Sequence, residues 1–381
     1  MSSVSIIGVG LHPFGRFAGK QAMDMGAEAI RLALRDAGVG WDQVQRAYAG
    51  SLQVSNPDAV VGKIGLTGIP VFGVFNGCAT AHTAISLAAE AIEHGKADIA
   101  LAVGFDKHPR GAFAGDPAVL GLPAWYGETG LFLTTHFFGM KINRYMSLHG
   151  ISAETLAKVA AKNFRNGARN ELAWRRTPMS EEAILAAPYL NYPLTKFMYC
   201  APNEGAGAVV LCRRDLASKY SDRPVHLAAA ELRTRRSGAF EVSSPSLTAT
   251  TSPSPTVDAS IAAFESAGIG PDDVHIAQLQ DTDAGSEVIH LAENGFCADG
   301  DQEKLVAEGY TEIDGQLPVN TDGGLMANGE PIGASGLRQI HEIVLQLRGR
   351  AGARQVPGPH SVGYTHLYGS PGTGAVTILT T

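Results

Sequence analysis

The stretch Phe75-Asn-Gly-Cys78-Ala-Thr-Ala-His82 sets one cysteine between an apolar run and a helical pattern. A thiol at a helix amino terminus meets unpaired backbone N–H groups and the positive end of the helix dipole. Both favour a thiolate, and both can hold a developing oxyanion on an acyl group attached to the sulfur. The small residues Gly77, Ala79 and Ala81 leave room for a substrate. A packed, inert thiol is the competing reading of Cys78. His82, one helical turn on, is either its base or a packed polar residue. A metal site on Cys78 and His82 lacks a third and fourth ligand at a recognisable spacing, so no metal is expected.

The elements that must position this thiol are legible from periodicity. Ile85, Ala88, Ala89 and Ile92 form one apolar stripe on a helix that stops near Gly95. Ser3 to Val9, Val71 to Phe75, Ile99 to Val103 and Ala208 to Cys212 read as strands alternating with helices, an α/β arrangement with the sheet covered on both faces. The chain also repeats itself. Ala27, Ile30, Leu34 and Ala37 followed by Gly38 are echoed by Val257, Ile261, Phe264 and Ala267 followed by Gly268. Asn76 and its small-residue loop are echoed by Asn320, and Gly207-Ala-Val-Val-Leu by Gly374-Ala-Val-Thr-Ile. The spacings place an insertion in the first copy at about residues 105–200. It carries Trp125, Tyr126, Phe132, Phe137, Phe138 and Tyr145, as either a substrate-covering subdomain or a helical decoration would. The halves are taken as 1–225 and 226–381, stacked back to back. Residues 243–256, rich in Ser, Thr and Pro, read as an exposed connection outside the chemistry.

Composition narrows the function. Among 381 residues, 30 basic and 37 acidic side chains give a formal net charge of −7 with no long run of one sign, which argues against nucleic acid as a partner. No apolar segment approaches the ~20 residues of a spanning helix, and no basic leader precedes the short amino-terminal apolar run, so a cytoplasmic protein without membrane insertion is expected. Cys78, Cys200, Cys212 and Cys297 form no CxxC pair and are expected to be reduced thiols.

Nearly the whole chain resembles the thiolase superfamily, in particular the sterol-carrier-protein type thiolases. The segments carrying the resemblance are "NGCATAHTAISLAAEAIEHGKADIALAVGFDK", "APNEGAGAVVL", "VNTDGGLMANGEPIGASGLRQIHEIVLQLRG" and the terminal "GTGAVTIL", in matching order. The resemblance implies the thiolase fold, with duplicated βαβαβαββ halves forming five α-β-α-β-α layers. It puts Cys78 in the place of the acyl-accepting nucleophile. It implies coenzyme A as part of the substrate with no separate cofactor, and a homodimer paired through the edge strand before the nucleophile.

The same resemblance exposes departures. The family's Gly-His-Pro turn reads Gly329-Glu330-Pro331, and its His-Asp-Cys-Phe segment reads Gln280-Asp281-Thr282-Asp283. Acid/base catalysis needs a group that titrates near working pH, which Gln280 and Thr282 do not. Gln280 retains an N–H that can bond a thioester carbonyl, and Asp281 matches an aspartate whose role is structural. Glu330 has three readings: an ionised neighbour that raises the Cys78 pKa, a rebuilt general base or acid, or a carboxylate that caps the next helix or pairs with Arg338. In the final loop Tyr364, His366 and Tyr368 are placed facing the pocket, and Gly372 and Thr373 are placed at the oxyanion hole, with Asn320 binding substrate. Three functions stay open. The first is an acyl-CoA enzyme that makes or breaks a carbon–carbon bond next to a thioester, of acyltransferase type and not an ordinary acetoacetyl-CoA thiolase. The second is a retro-aldol lyase on a β-hydroxyacyl-CoA with a small OB-fold, acyl-CoA-binding partner. The third is a retired thiolase that binds acyl-CoA or lipid.

Overall fold

A computed structural model describes residues 3–130, 132–239, 241 and 252–381. Strands β1 (Val4–Gly15), β2 (Arg46–Gly50), β3 (Val71–Val74), β4 (Ile99–Lys107) and β5 (Glu204–Arg213) belong to the first half. Strands β6 (Val225–Thr234), β7 (Ile276–Gln278), β8 (Val362–Gly369) and β9 (Thr373–Thr380) belong to the second. They hydrogen-bond in the order β3-β2-β4-β5-β1-β6-β9-β8-β7. Read outward from the centre, β1 answers β6, β5 answers β9, β4 answers β8 and β2 answers β7. A bridge from Ala277 to Val319 stands where β3 stands in the first half. Strand pairing between the halves runs through Ser5 with His226 and Ile6 with Val225, so the sheet is two sheets joined at one corner.

Helices complete the five layers. Helix α1 (Ala22–Ala37) covers the first sheet on its outer face, with Ala27, Ile30, Leu34 and Ala37 all buried. Helices α2 (Thr80–Glu93) and, later in the chain, Ser335–Leu347 lie between the sheets, where Ala81, Ile85, Ala88 and Ile92 pack with Leu337, Ile340 and Ile343. In the insertion, α3 (Thr134–His149) and α4 (Ala153–Ala168) occupy the span between β4 and β5. Helix α5 (Pro255–Ala267) covers the second sheet, and α6 (Ala284–Glu293) ties it to the insertion through Val288 and Ile289. The short α7 (Gly324–Asn328) precedes the Gly329 turn, and Ser335–Leu347 is α8.

The repeat holds at its stops and fails in one face. Gly38 and Gly268 both end their helices at positive φ, 64° and 70°, each donating its N–H to a carbonyl of the last turn. The expected stripe on α5, however, is rotated. Its buried face is Ala259, Ser260, Ala263 and Phe264, while Ile261 is 53% exposed. Small residues let α5 approach β9 closely: a side chain at Gly374 would meet the Pro255 carbonyl at 2.4 Å. Of the Ser/Thr/Pro-rich stretch, residues 243–251 lie outside the described residues. Its end is not loop: Ser254 caps α5, accepting from Thr256 N, and Pro255 begins the helix.

Candidate active site

Cys78 sits one residue before the helix cap Ala79, in a turn fixed by its neighbours. Thr80 Oγ1 accepts from Asn76 N at 2.9 Å and donates to the Gly77 carbonyl at 2.6 Å. Gly77 has φ 54°, and a side chain there would meet the Ser370 carbonyl at 2.5 Å. The β8–β9 loop therefore lies on the thiol turn and admits only glycine at that point.

Glu330 comes to the thiol from the second half. Its backbone N–H donates to the Ala201 carbonyl at 3.0 Å, and a side chain at Gly329 would collide with Asn203 at 2.1 Å, so the 200–203 segment and the Gly329 turn are locked together. The Glu330 carboxyl is 1% exposed. It accepts from Gln280 Nε2 at 3.2 Å and from Cys200 Sγ at 3.5 Å, and its charge acts on the Cys78 thiol. Both thiols are held well above the ordinary thiol range, first by burial and then by the negative charge of Glu330. Each residue keeps some solvent-accessible surface although protein surrounds it densely. The helix-dipole argument for a resting thiolate is thus outweighed, and both sulfurs rest protonated. Arg338 bonds Gln278 and Asp322 and not Glu330, and α8 starts after Ala334 without a side-chain cap.

The remaining expected site residues divide sharply. Gln280 is present, but its Nε2 already serves Glu330 and Thr282 Oγ1, leaving its buried Oε1 without a partner. His366 is not at the thiol: its Nε2 bonds Thr256 Oγ1 at 3.0 Å, its ring meets His290 edge-on, and burial followed by the nearby histidines holds it neutral. The Tyr364 hydroxyl is buried between Ser260 Oγ and Asn294 Oδ1. Strand alternation explains both, since Tyr364 and His366 point to the α5 side of β8. His82 lies on the opposite side, bonded to Thr365 Oγ1 at 2.7 Å, with burial pushing its pKa down to about 3, and is a packed residue and not a base. Asn320, at φ 54°, spends its amide on Glu287 and on Leu279 N. The Gly372 N–H is taken by the Gly369 carbonyl, and Thr373 begins the β9 ladder, so Gly369 and Ser370 are the loop residues at the thiol turn. Asp281 accepts from Leu325 N and Met326 N, pinning α7 and with it the Gly329 turn.

Cys200 was missed by sequence reasoning. Its N–H donates to the Thr282 carbonyl at 2.9 Å, which brings a thiol beside the position where Thr282 has none. The neighbouring "APNEGAGAVVL" strand signal was the available pointer. Cys200 and Thr282 line a cavity of about 500 Å³ walled by Phe113, Leu133, Phe138, Leu190 and Tyr199. Aromatic residues of the insertion, Phe113 and Phe138 among them, thus wall a cavity that reaches Cys200. Among the described residues, no group of three His, Cys, Asp or Glu side chains is arranged to hold a metal.

Two stacked α/β halves with a thiol turn opening a helix buried between the sheets define a protein of the thiolase class. The chain belongs to the thiolase family: residues 4–175 match the thiolase N-terminal domain and 241–381 the thiolase C-terminal domain-like model. It is 32% identical to an acetyl-CoA acetyltransferase of Methanothermobacter thermautotrophicus, covering 99% of each chain. It is 30% identical to bovine (Bos taurus) sterol carrier protein 2, over 98% of this chain and 72% of that protein. The solved structure titled Ltp2-ChsH2(DUF35) aldolase superposes with TM-score 0.88 at 23% identity, covering 98% of this chain and 97% of that one, a likeness of fold. Among the described residues no helix is long and apolar enough to cross a membrane.

Proposed function

We propose that the protein is an acyl-CoA enzyme that cleaves or forms a carbon–carbon bond beside a thioester through a Cys78 acyl-enzyme. The observation that carries this reading is the single buried carboxyl of Glu330, which accepts from the Cys200 thiol and acts electrostatically on the Cys78 thiol. In the cleavage direction Glu330 takes the Cys78 proton as the sulfur attacks the 3-keto carbon. The bond between carbons 2 and 3 breaks, and its electron pair stays on the coenzyme-bearing fragment as an enolate. Cys200 gives that carbon its proton. Glu330, bonded by the Cys200 thiol, returns its proton to Cys200, and a coenzyme A thiol then takes the acyl group from Cys78, its own proton passing to the released Cys78 sulfur. Gln280 Nε2, already directed at this point, is the side-chain donor for the thioester oxygen once it releases Thr282 or Glu330.

The retro-aldol reading has one observation in its favour: Cys78 rests protonated, and a lyase needs only Glu330 to take the hydroxyl proton. Turnover by Cys78→Ala separates the two. We expect loss of at least a thousandfold on 3-ketoacyl-CoA; near-full turnover on a 3-hydroxyacyl-CoA would establish the lyase instead. As for assembly, β3 offers an unpaired edge with Phe72 44% and Phe75 51% exposed, which supports a homodimer through that edge. An OB-fold acyl-CoA-binding subunit belongs to the lyase reading, and copurification from the native source tests it.

A further inference from the structure

The cavity at Cys200 is lined by a cation, Arg175, that makes no ion pair with a carboxylate among the described residues. Arg175 donates from Nη1 to the Tyr199 carbonyl at 3.2 Å and the Met326 carbonyl at 3.0 Å, which places its guanidinium one residue from Cys200. Protein packs densely around it, and burial lowers its pKa. The deeply buried arginines each have a carboxylate, Arg338 having Asp322, Arg348 Asp36 and Arg354 Glu342, whereas Arg175 is half-buried. Arg16, across the Trp174 ring from it, has Glu204 at 3.6 Å. Arg175 has none among the described residues. A half-buried cation without a counter-charge, facing a cavity, favours an anion that arrives to meet it. The cavity lining as a whole repeats the asymmetry, since Arg175, Lys196 and His136 line it and no Asp or Glu does, in a chain whose net charge is −7. The other walls combine apolar and aromatic side chains with the uncharged polar groups of Thr134, Thr135, Asn191 and Thr282.

We infer that the acyl group taken into this cavity carries a carboxylate of its own, held by Arg175, so that the substrates are thioesters of dicarboxylic acids with an apolar or aromatic body. This rests on the acyl-CoA reading above and adds the substrate class to it. A fork-shaped guanidinium suits a carboxylate bound through two parallel N–H bonds. Because Arg175 lies next to Cys200, the carboxylate sits on the part of the acyl group nearest the reacting carbons and not at the distant end of a long chain. The phosphates of coenzyme A are the other source of the same chemistry, and the test must tell them apart.

The test is calorimetric binding to the full-length Cys78→Ala protein, which cannot turn substrate over through the sulfur. Paired thioesters of one chain length, ending in methyl or in carboxylate, are compared as coenzyme A and as pantetheine derivatives. We expect the carboxylate member to bind at least tenfold more tightly in both series, Arg175→Gln to bring the preference within twofold, and Arg175→Lys to keep part of it. Equal affinity of the two members with Arg175 intact overturns the inference, whether or not the variants fold. So does an equal loss for both members in Arg175→Gln that is absent with pantetheine thioesters, since that assigns the guanidinium to the coenzyme phosphates. Failure to bind any acyl-CoA at all would instead overturn the acyl-CoA reading, and this inference with it.

Discussion

Glu330→Gln separates the carboxylate's chemical role from its structural one. The change preserves volume, and the glutamine carbonyl oxygen still accepts from Gln280 Nε2 across the present 3.2 Å, so the Gly329 turn stays in register with the 200–203 segment. What is lost is the group that takes a proton from Cys78. Among the described residues His82 is bound to Thr365 and His366 to Thr256, burial lowers the pKa of both, and the Asp106 carboxylate is taken by Ser51, Leu52, Gln53 and Gly333. Loss of a positioned general base costs ~10²–10⁴ in rate, about 3–5 kcal/mol of transition-state stabilisation. With no substitute base, kcat should fall by at least ~10³ with KM changed little. Removing the negative charge should at the same time lower the Cys78 pKa, so alkylation by iodoacetamide, followed on the Cys78 peptide, should set in at lower pH than in the wild type. Catalysis and thiol reactivity thus move in opposite directions. A variant within tenfold of wild-type turnover, or an alkylation profile that stays put or moves to higher pH, would refute the reasoning.

Cys200→Ala should slow the complete reaction by ~10²–10³ while Cys78 still exchanges acyl groups with free coenzyme A, because only the carbon-protonating thiol is missing; equal losses in both assays would remove Cys200 from the proton path. Stability should fall on acidification. Burial holds His82 down to about 3 and His290 and His341 down to about 4, so the unfolded chain binds protons below pH 6.5 that the fold does not. Each contributes about 2 kcal/mol that is lost between pH 7 and pH 5, partly offset by Asp283, whose burial raises its pKa to about 6 and works in the other direction. Urea unfolding at the two pH values should give a net loss of a few kcal/mol, smaller in His82→Gln; equal stability at both would contradict these assignments.

What the sequence disclosed follows from local physics. The αL glycines Gly38 and Gly268, the stripe Ile85-Ala88-Ala89-Ile92 and the thiol turn are fixed by contacts close in the chain, and all three stand where the pattern placed them. Strand alternation explains the chief miss. Tyr364, His366 and Tyr368 share one face of β8, and periodicity alone did not say that this face turns toward α5 and α6 instead of the thiols. Ile261 illustrates the same limit on a helix, where close approach through Ala259 and Ala263 overrode the hydrophobic spacing. Cys200 was invisible because its meeting with Glu330 depends on two segments 130 residues apart. Glu330 was found only because its turn departs from the family pattern.

The central claim is that Cys78 becomes acylated with Glu330 as its base. Incubating the Cys200→Ala protein with a panel of mono- and dicarboxylic acyl-CoAs, quenching in acid and weighing the Cys78 peptide tests it directly. The account predicts a thioester on Cys78 that accumulates, because its discharge into carbon–carbon bond formation is blocked, and that is absent in the Cys200→Ala, Glu330→Gln double variant over the same interval. An unmodified Cys78 with every thioester offered would contradict it.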